Sequence, residues 1–205
     1  MKSSKYLSRI FDLSCKTAKK GWEAAAWSSE DSQQFLFELC IGVTGRDGTI
    51  LDVGCGHADL YEYLEKSKNY TGIDISKRMI EAARKKYPRA KVENADLSDF
   101  QEQHDWVVGV GPFNLDISVE AFDLSNDKIQ MDYLEESLFH MYRLAKKGLV
   151  LTLLSNSLVQ KKEQVQGLYY YETAAVVYLC EKFSNKIMVD QVSSPNQFML
   201  MIPKV

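Results

Sequence analysis

Two glycines and two acids stand where a strand-end site for a nucleoside would need them. Gly54 and Gly56 flank Cys55 in TILDVGCGHAD, directly after the apolar stretch that ends in Asp52 and Val53. A glycine pair there lets the backbone turn tightly and lets a ligand approach the main chain. The helix that follows offers unpaired N–H groups and the positive end of its dipole, which suit a carboxylate or phosphate. Asp74 follows Gly54 by about 20 residues, the spacing at which an acid takes both hydroxyls of a ribose. Asp96, in ENADLSDF, is placed to accept from an adenine amino group. Any one of these features alone is as readily an ordinary turn or a strand-end acid. Their joint occurrence at three successive strand ends favours a nucleoside ligand.

The elements that must hold these residues alternate. Apolar runs at TILDV, YTGIDI, AKVENA, DWVVGV, GLVLTLL, KIMVDQV and QFMLMIP read as strands. Between them, helical patterns run over 58–66, from Ser76 to before Pro88, over 126–146 and over 171–183. Two further helices precede the first strand, over 5–19 and from Ser28 or Ser29, the latter with Phe35, Leu36, Leu39 and Cys40 on its inner face. The alternation predicts an α/β fold: a doubly wound, mainly parallel seven-stranded sheet, helices on both faces, and a C-terminal antiparallel hairpin across SSPN. Residues 1–45 are expected to form a cap or lid of helices, and residues 46–205 a Rossmann-like domain. In such sheets ligands bind at the carboxyl ends of the strands, where strand order reverses.

The chain has 205 residues, enough for a sizeable core. Its net charge of -3 argues against a partner held through many phosphates. The N-terminus lacks the apolar core of a secretory signal, and no apolar run is long enough to span a bilayer. The cysteines at 15, 40, 55 and 180 form no C-x-x-C pair and suit a reducing compartment. A cytoplasmic protein is expected, with no metal site and no membrane contact. The sequence leaves the oligomeric state open.

A dinucleotide site would require a third glycine at position 59, where this chain has Asp59. The motifs LDVGCGHAD, YTGIDIS, NADLSD and DWVVGVGPFN instead resemble, in order, those of the class I (Rossmann-like) S-adenosylmethionine-dependent methyltransferase superfamily. The resemblance runs from about residue 30 to the C-terminal hairpin. It implies S-adenosylmethionine as cofactor and S-adenosylhomocysteine as product. It also implies roles. Asp52 would hold the glycine loop and reach the methionine amino group through water. Gly54, Cys55 and Gly56 would pack on the methionine moiety. Asp74 would take the ribose, with Ile75 against the adenine. Asp96 would accept from the adenine amine, with Leu97 beside it, and Gly109, Val110 and Gly111 would lie near the sulfonium. The family often has a glycine where this chain has Ala58.

Candidates on the acceptor side are His57 in the glycine loop, Asn114 in GVGPFN and Tyr170 in GLYYYE. Each has a plainer reading: a solvated loop histidine, a turn fixed by Pro112 over a packed Phe113, and a loop end packed on the core. Trp22, Trp27 and Tyr169–Tyr171 could line an apolar lid, which suits a small organic acceptor. The basic run ARKKYPRAK lies at a helix end, away from the strand carboxyl ends, and reads as a solvated face. The sequence therefore points to methyl transfer to a small molecule. The rivals are a methyltransferase of RNA or protein, an NAD-dependent oxidoreductase, and a non-catalytic nucleoside-binding module.

Overall fold

A computed structural model describes residues 2–67, 69–117, 127–191 and 193–204. Its core is a seven-stranded sheet in the order β3-β2-β1-β4-β5-β7-β6. The strands are β1 (Ile50–Val53), β2 (Tyr70–Asp74), β3 (Lys91–Asn94), β4 (His104–Val110), β5 (Ala145–Leu154), β6 (Met188–Asp190) and β7 (Gln197–Pro203). Strands β3, β2, β1, β4 and β5 are parallel to their neighbours, and β7 runs antiparallel to both β5 and β6. The expected fold class and the closing antiparallel hairpin are both present. The chain winds outward from β1 to β3 and then returns to β4 on the other side of β1. The order therefore reverses between β1 and β4, and the crevice opens there.

The central strands are covered on both faces, so they read as unbroken apolar runs. Successive residues still point to opposite faces. Leu51, Val53, Val107, Leu149, Leu151 and Leu153 face one core, shared with helices α6 (Asp127–Leu144) and α7 (Thr173–Cys180). Ile50, Val108, Val110 and Val150 face the other, shared with α3 (Glu30–Thr44), α4 (Leu60–Tyr63) and α5 (Lys77–Lys86). Helix α1 (Lys2–Thr17) and the single turn α2 (Gly21–Ala24) lie ahead of these.

Caps define the helix starts. Ser29 accepts from the Ser32 amide at the head of α3, and Ser76 accepts from the Met79 amide at the head of α5. Helix α5 stops at Tyr87, before Pro88, as a proline requires. Several elements depart from expectation. The helix expected over 58–66 is one turn, because Ala58, Glu65 and Lys66 all take left-handed φ values near 60°. The loop after α1 contains α2, whose start is held by the Glu23 carboxylate accepting from the Lys19 and Lys20 amides. Helix α3 is rotated from the expected face. Leu36, Phe37, Cys40 and Ile41 are buried, whereas Phe35 is 40% exposed. Helix α7 begins later than position 171, because Tyr171 is drawn into a bridge with Ser155. The expected strand over 186–192 is reduced to Met188–Asp190. Asn126 and Val192, expected to bound a helix and a strand, lie outside the described residues. Among the described residues no helix is long and apolar enough to cross a membrane.

Candidate active site

The crevice at the β1–β4 reversal is a cleft of about 770 Å³, counted out to its mouth. It is built from four strand ends. At the end of β1, the Gly54 and Cys55 amides donate to Ile73 O of β2, at 2.8 and 3.0 Å. This pins the turn against the neighbouring strand. Gly54 has φ +70°, and a Cβ there would sit 2.5 Å from Pro112 Cβ, so only glycine fits. The turn after β1 thus touches the turn after β4 directly.

Asp74, at the end of β2, ties the site together. One carboxylate oxygen accepts from the Gly56 amide at 2.9 Å, and the other from the Ser76 amide at 2.8 Å. The glycine turn and the head of α5 are therefore held by one side chain. Each oxygen keeps a further lone pair, enough to receive two hydroxyls. Burial pushes the Asp74 carboxyl up to about 6, against the opposing effect of those two amide bonds. Asp96, after β3, lies in the same cleft. Its Oδ1 accepts from the Ser98 amide and hydroxyl at 3.0 and 2.9 Å. Partial burial would raise its carboxyl, but hydrogen bonds from Ser4 and Ser98 outweigh that and hold it below the usual carboxylate value.

Gly56, Ile75, Leu97, Val110 and Gly111 line the cleft together with Gly54, Asp74 and Asp96. Asp52 and Cys55 stand behind it. Asp52 is 4% exposed and its Oδ2 accepts from the Tyr70 phenol at 2.8 Å. Burial drives the Asp52 carboxyl up to about 7, opposed by that phenol and reinforced by Asp74 and Asp59. Cys55 is buried, and its thiol packs toward Gly72, on the α3–α5 side of the sheet. Gly109 also faces inward, toward Leu151 and Met141.

None of the three acceptor-side candidates lines the cleft. His57 packs against Gly21, with its Nε2 3.6 Å from Cys15 Sγ, between α1 and the glycine turn. The Asn114 Oδ1 accepts from the Leu154 amide at 3.0 Å, and its carbonyl from the Tyr169 amide at 2.8 Å. It fixes the turn after β4 to the end of β5. The Tyr170 phenol accepts from the Val165 amide and closes its own loop. Tyr171, fully buried, donates to Phe113 O at 2.6 Å, and Gln130 of α6 donates to the same carbonyl. Trp22 does not line the cleft, whereas Trp27 does, over Gly111.

The cleft also contains residues that sequence reasoning did not single out. Ser4, Leu7 and Phe11 of α1 close it from above, and Tyr133 and Ser137 of α6 form part of its wall. Helix α1 is held in place by Ser8, whose hydroxyl donates to Ile75 O at 3.0 Å. It is also held by Asp12, which accepts from the Ser76 hydroxyl at 2.6 Å and the Arg78 amide at 3.2 Å. The only sequence signal for Tyr133 and Ser137 was their i, i+4 spacing beside the apolar row of Leu134 and Leu138. Asp59, where a dinucleotide fingerprint would need glycine, pairs with Lys86 at 2.6 Å.

Residues 50–148 match the family model described as "Methyltransferase domain". The chain is 27% identical over 142 residues to Rv1506c of Mycobacterium tuberculosis, named as a methyltransferase, covering 67% of this chain and 81% of that protein. Among solved structures, magnesium protoporphyrin IX methyltransferase (ChlM) from Synechocystis PCC 6803 with bound SAH aligns with a TM-score of 0.69 at 13% identity, over 99% of this chain and 100% of that one. The N-methyltransferase NodS from Bradyrhizobium japonicum WM9, in complex with S-adenosyl-L-homocysteine, aligns at 0.64 and 14% identity, over 98% of both chains. These structural likenesses concern the fold. The domain match runs from the start of β1 into the first part of β5, just under half of the chain. The match and the shared fold together support the class I S-adenosylmethionine-dependent methyltransferase superfamily as the family of this chain.

Proposed function

We propose that this protein transfers a methyl group from S-adenosylmethionine to a small organic acceptor, leaving S-adenosylhomocysteine. The observation that carries the reading is the convergence of Gly54, Asp74 and Asp96 in one cleft. The residues fit the cofactor. The close approach of Gly54 to Pro112 keeps the turn bare, Asp74 has lone pairs to spare, and Asp96 offers a carboxylate to a base amine. Asp74 takes the ribose hydroxyls, Ile75 and Leu97 flank the base, and the turn at Gly54 to Gly56 meets the methionine end. Asp52 acts from behind, by holding the strand end through Tyr70.

When bound, S-adenosylmethionine supplies an already activated methyl group. The chain's task is then alignment and exclusion of water. Leu7, Phe11, Trp27 and Phe113 give the cleft an apolar surround. Residues 1–45 serve as its cap, with α1 latched by Ser8 and Asp12. His57, Asn114 and Tyr170 act as positioning groups outside the cleft, and the acceptor presents its own nucleophilic lone pair. A small acceptor suits this enclosed, apolar shape better than a polymer does. One of the solved relatives is named for magnesium protoporphyrin IX, itself a small molecule.

Parallel calorimetric titrations with S-adenosylmethionine, S-adenosylhomocysteine and NAD test the cofactor. Micromolar binding of the first two and none of NAD is expected. Release of S-adenosylhomocysteine against a panel of small amines, phenols and carboxylates then tests catalysis. Binding without turnover of any acceptor would favour a nucleoside-binding module instead.

A further inference from the structure

Ser137 sits in the second half of α6 and is 1% exposed. Its hydroxyl makes no hydrogen bond and reaches no solvent. Tyr133, one turn earlier, lies close enough for its phenol to be influenced by that hydroxyl, but the two are not in hydrogen-bond geometry. A buried hydroxyl without a partner is destabilising, and native proteins rarely leave one. The other buried polar atoms lacking a partner, on Trp22, His104, His140, Thr152 and Gln197, do not line the cleft. Among the described residues, Ser137 is the one such group that lines the cleft.

Its neighbours in the wall indicate what it would meet. Tyr133 stacks edge-on against Phe113, with ring centroids 5.8 Å apart, and lies within electrostatic reach of Asp96. Leu97, beside Asp96, packs in the same apolar cluster as Leu134, Leu138 and Met141 of α6. Ser137 thus shares the cleft with Asp96, across the wall formed by Tyr133. A carboxylate only accepts, so Asp96 takes the exocyclic amine of an adenine. The atoms beside that amine, N1 on one side and N7 on the other, are both acceptors. An acceptor requires a donor, and an apolar wall carrying one unpaired hydroxyl supplies it.

We propose that Ser137 is a binding residue of the base subsite, donating to an adenine ring nitrogen while Asp96 accepts from the adenine amine. The inference rests on the cofactor reading above and adds a residue to it. Ser4, Leu7 and Phe11 of α1 line the same cleft as this hydroxyl. The base, on entering, provides the partner that the chain withholds. Recognition then needs both edges: a purine lacking either the amine or the ring nitrogen loses one of two paired bonds.

The test is titration of wild type, Ser137→Ala and Ser137→Cys with S-adenosylhomocysteine and with its 1-deaza and 7-deaza analogues, alongside the melting temperature of each free protein. Ser137→Ala should weaken S-adenosylhomocysteine binding about 5- to 30-fold. The same variant should bind one deaza analogue as well as wild type does, since the accepting nitrogen is then already gone. Its free form should melt at or above the wild-type temperature, because an unpaired buried hydroxyl has been removed. Ser137→Cys, a weak donor of similar shape, should fall between. Binding by Ser137→Ala within twofold of wild type overturns the proposal. Equal losses for all three ligands do so too. So does a marked fall in the melting temperature of the free alanine variant, since the hydroxyl would then have a partner within the protein. Wild type that binds no S-adenosylhomocysteine would remove the cofactor reading itself, and this proposal with it.

Discussion

Asp74 and Asp52 end neighbouring strands, and both are acids whose burial raises their proton affinity, yet they do different work. In the proposed ribose role Asp74 must be ionised to take two hydroxyls, and burial pushes its carboxyl up to about 6. Affinity for S-adenosylhomocysteine should therefore be flat above pH 7 and fall below about pH 6, approaching tenfold per unit. Asp74→Asn should abolish that dependence and weaken binding by about 1.5–3 kcal/mol at pH 8. Calorimetry across pH 5–8 decides it, and a pH-independent wild type would refute the ribose role. Asp52 lies behind the cleft, so its signature is stability. Its carboxyl rises from 3.8 to about 7 on folding, so between those values the folded state holds a proton that the unfolded state releases. That contribution is complete below about pH 4 and is lost as pH rises toward 7. Asp52→Asn, which still offers an oxygen to Tyr70, should remove this slope. Its melting temperature relative to wild type should climb between pH 4 and 8, as thermal scans at each pH would show. The cleft residues on strand ends were readable because glycines and acids occur together there, in register with three successive strands. Ser137 and Tyr133 were not readable, because on a helix a polar residue beside an apolar row looks like a boundary and not like a wall of a site.

At the scale of elements, α1 is the part whose position the sequence revealed least. Its apolar spacing announced a helix, but nothing in that pattern says that Leu7 and Phe11 lie over a cleft while Asp12 reaches across to the head of α5. That docking is tertiary, made by Ser8 and Asp12 with Ile75, Ser76 and Arg78. Helix α4 was overextended for a related reason. The residues over 58–66 have helical composition, but backbone φ values near 60° at Ala58, Glu65 and Lys66 leave room for a single turn. Such left-handed residues are uncommon outside glycine, and composition does not mark them. Because Asp12 holds α1 only through hydrogen bonds to the head of α5, Asp12→Ala should loosen the cap without unfolding the sheet. Stopped-flow displacement should show S-adenosylhomocysteine leaving several-fold faster, with the melting temperature changed by only a few degrees. An unchanged release rate would mean that α1 is fixed packing and not a cap.

The whole molecule carries a net charge of -3, and its cleft is walled by Leu7, Phe11, Trp27 and Phe113. These features together predict how acceptor use responds to salt. An acceptor held by shape and apolar contact should show an apparent KM that changes less than about twofold between 50 and 200 mM salt. A polymer gripped through six or more phosphates would lose about a thousandfold over that range. Steady-state kinetics on the first acceptor found would tell them apart.

The insertion of β7 between β5 and β6 has a consequence for how the chain is made. During synthesis β5 emerges with its parallel neighbour β4 on one side, and β6 follows it. Yet β6 has no strand to pair with until residues 197–203 appear and take the place between them. Until then the long apolar edge of β5, Gly148 to Leu154, stays unpaired, the kind of edge on which nascent chains associate. A ribosome paused between β6 and β7 would therefore hold this protein at its most aggregation-prone point, with its methyl-transfer cleft already assembled from β1 to β4.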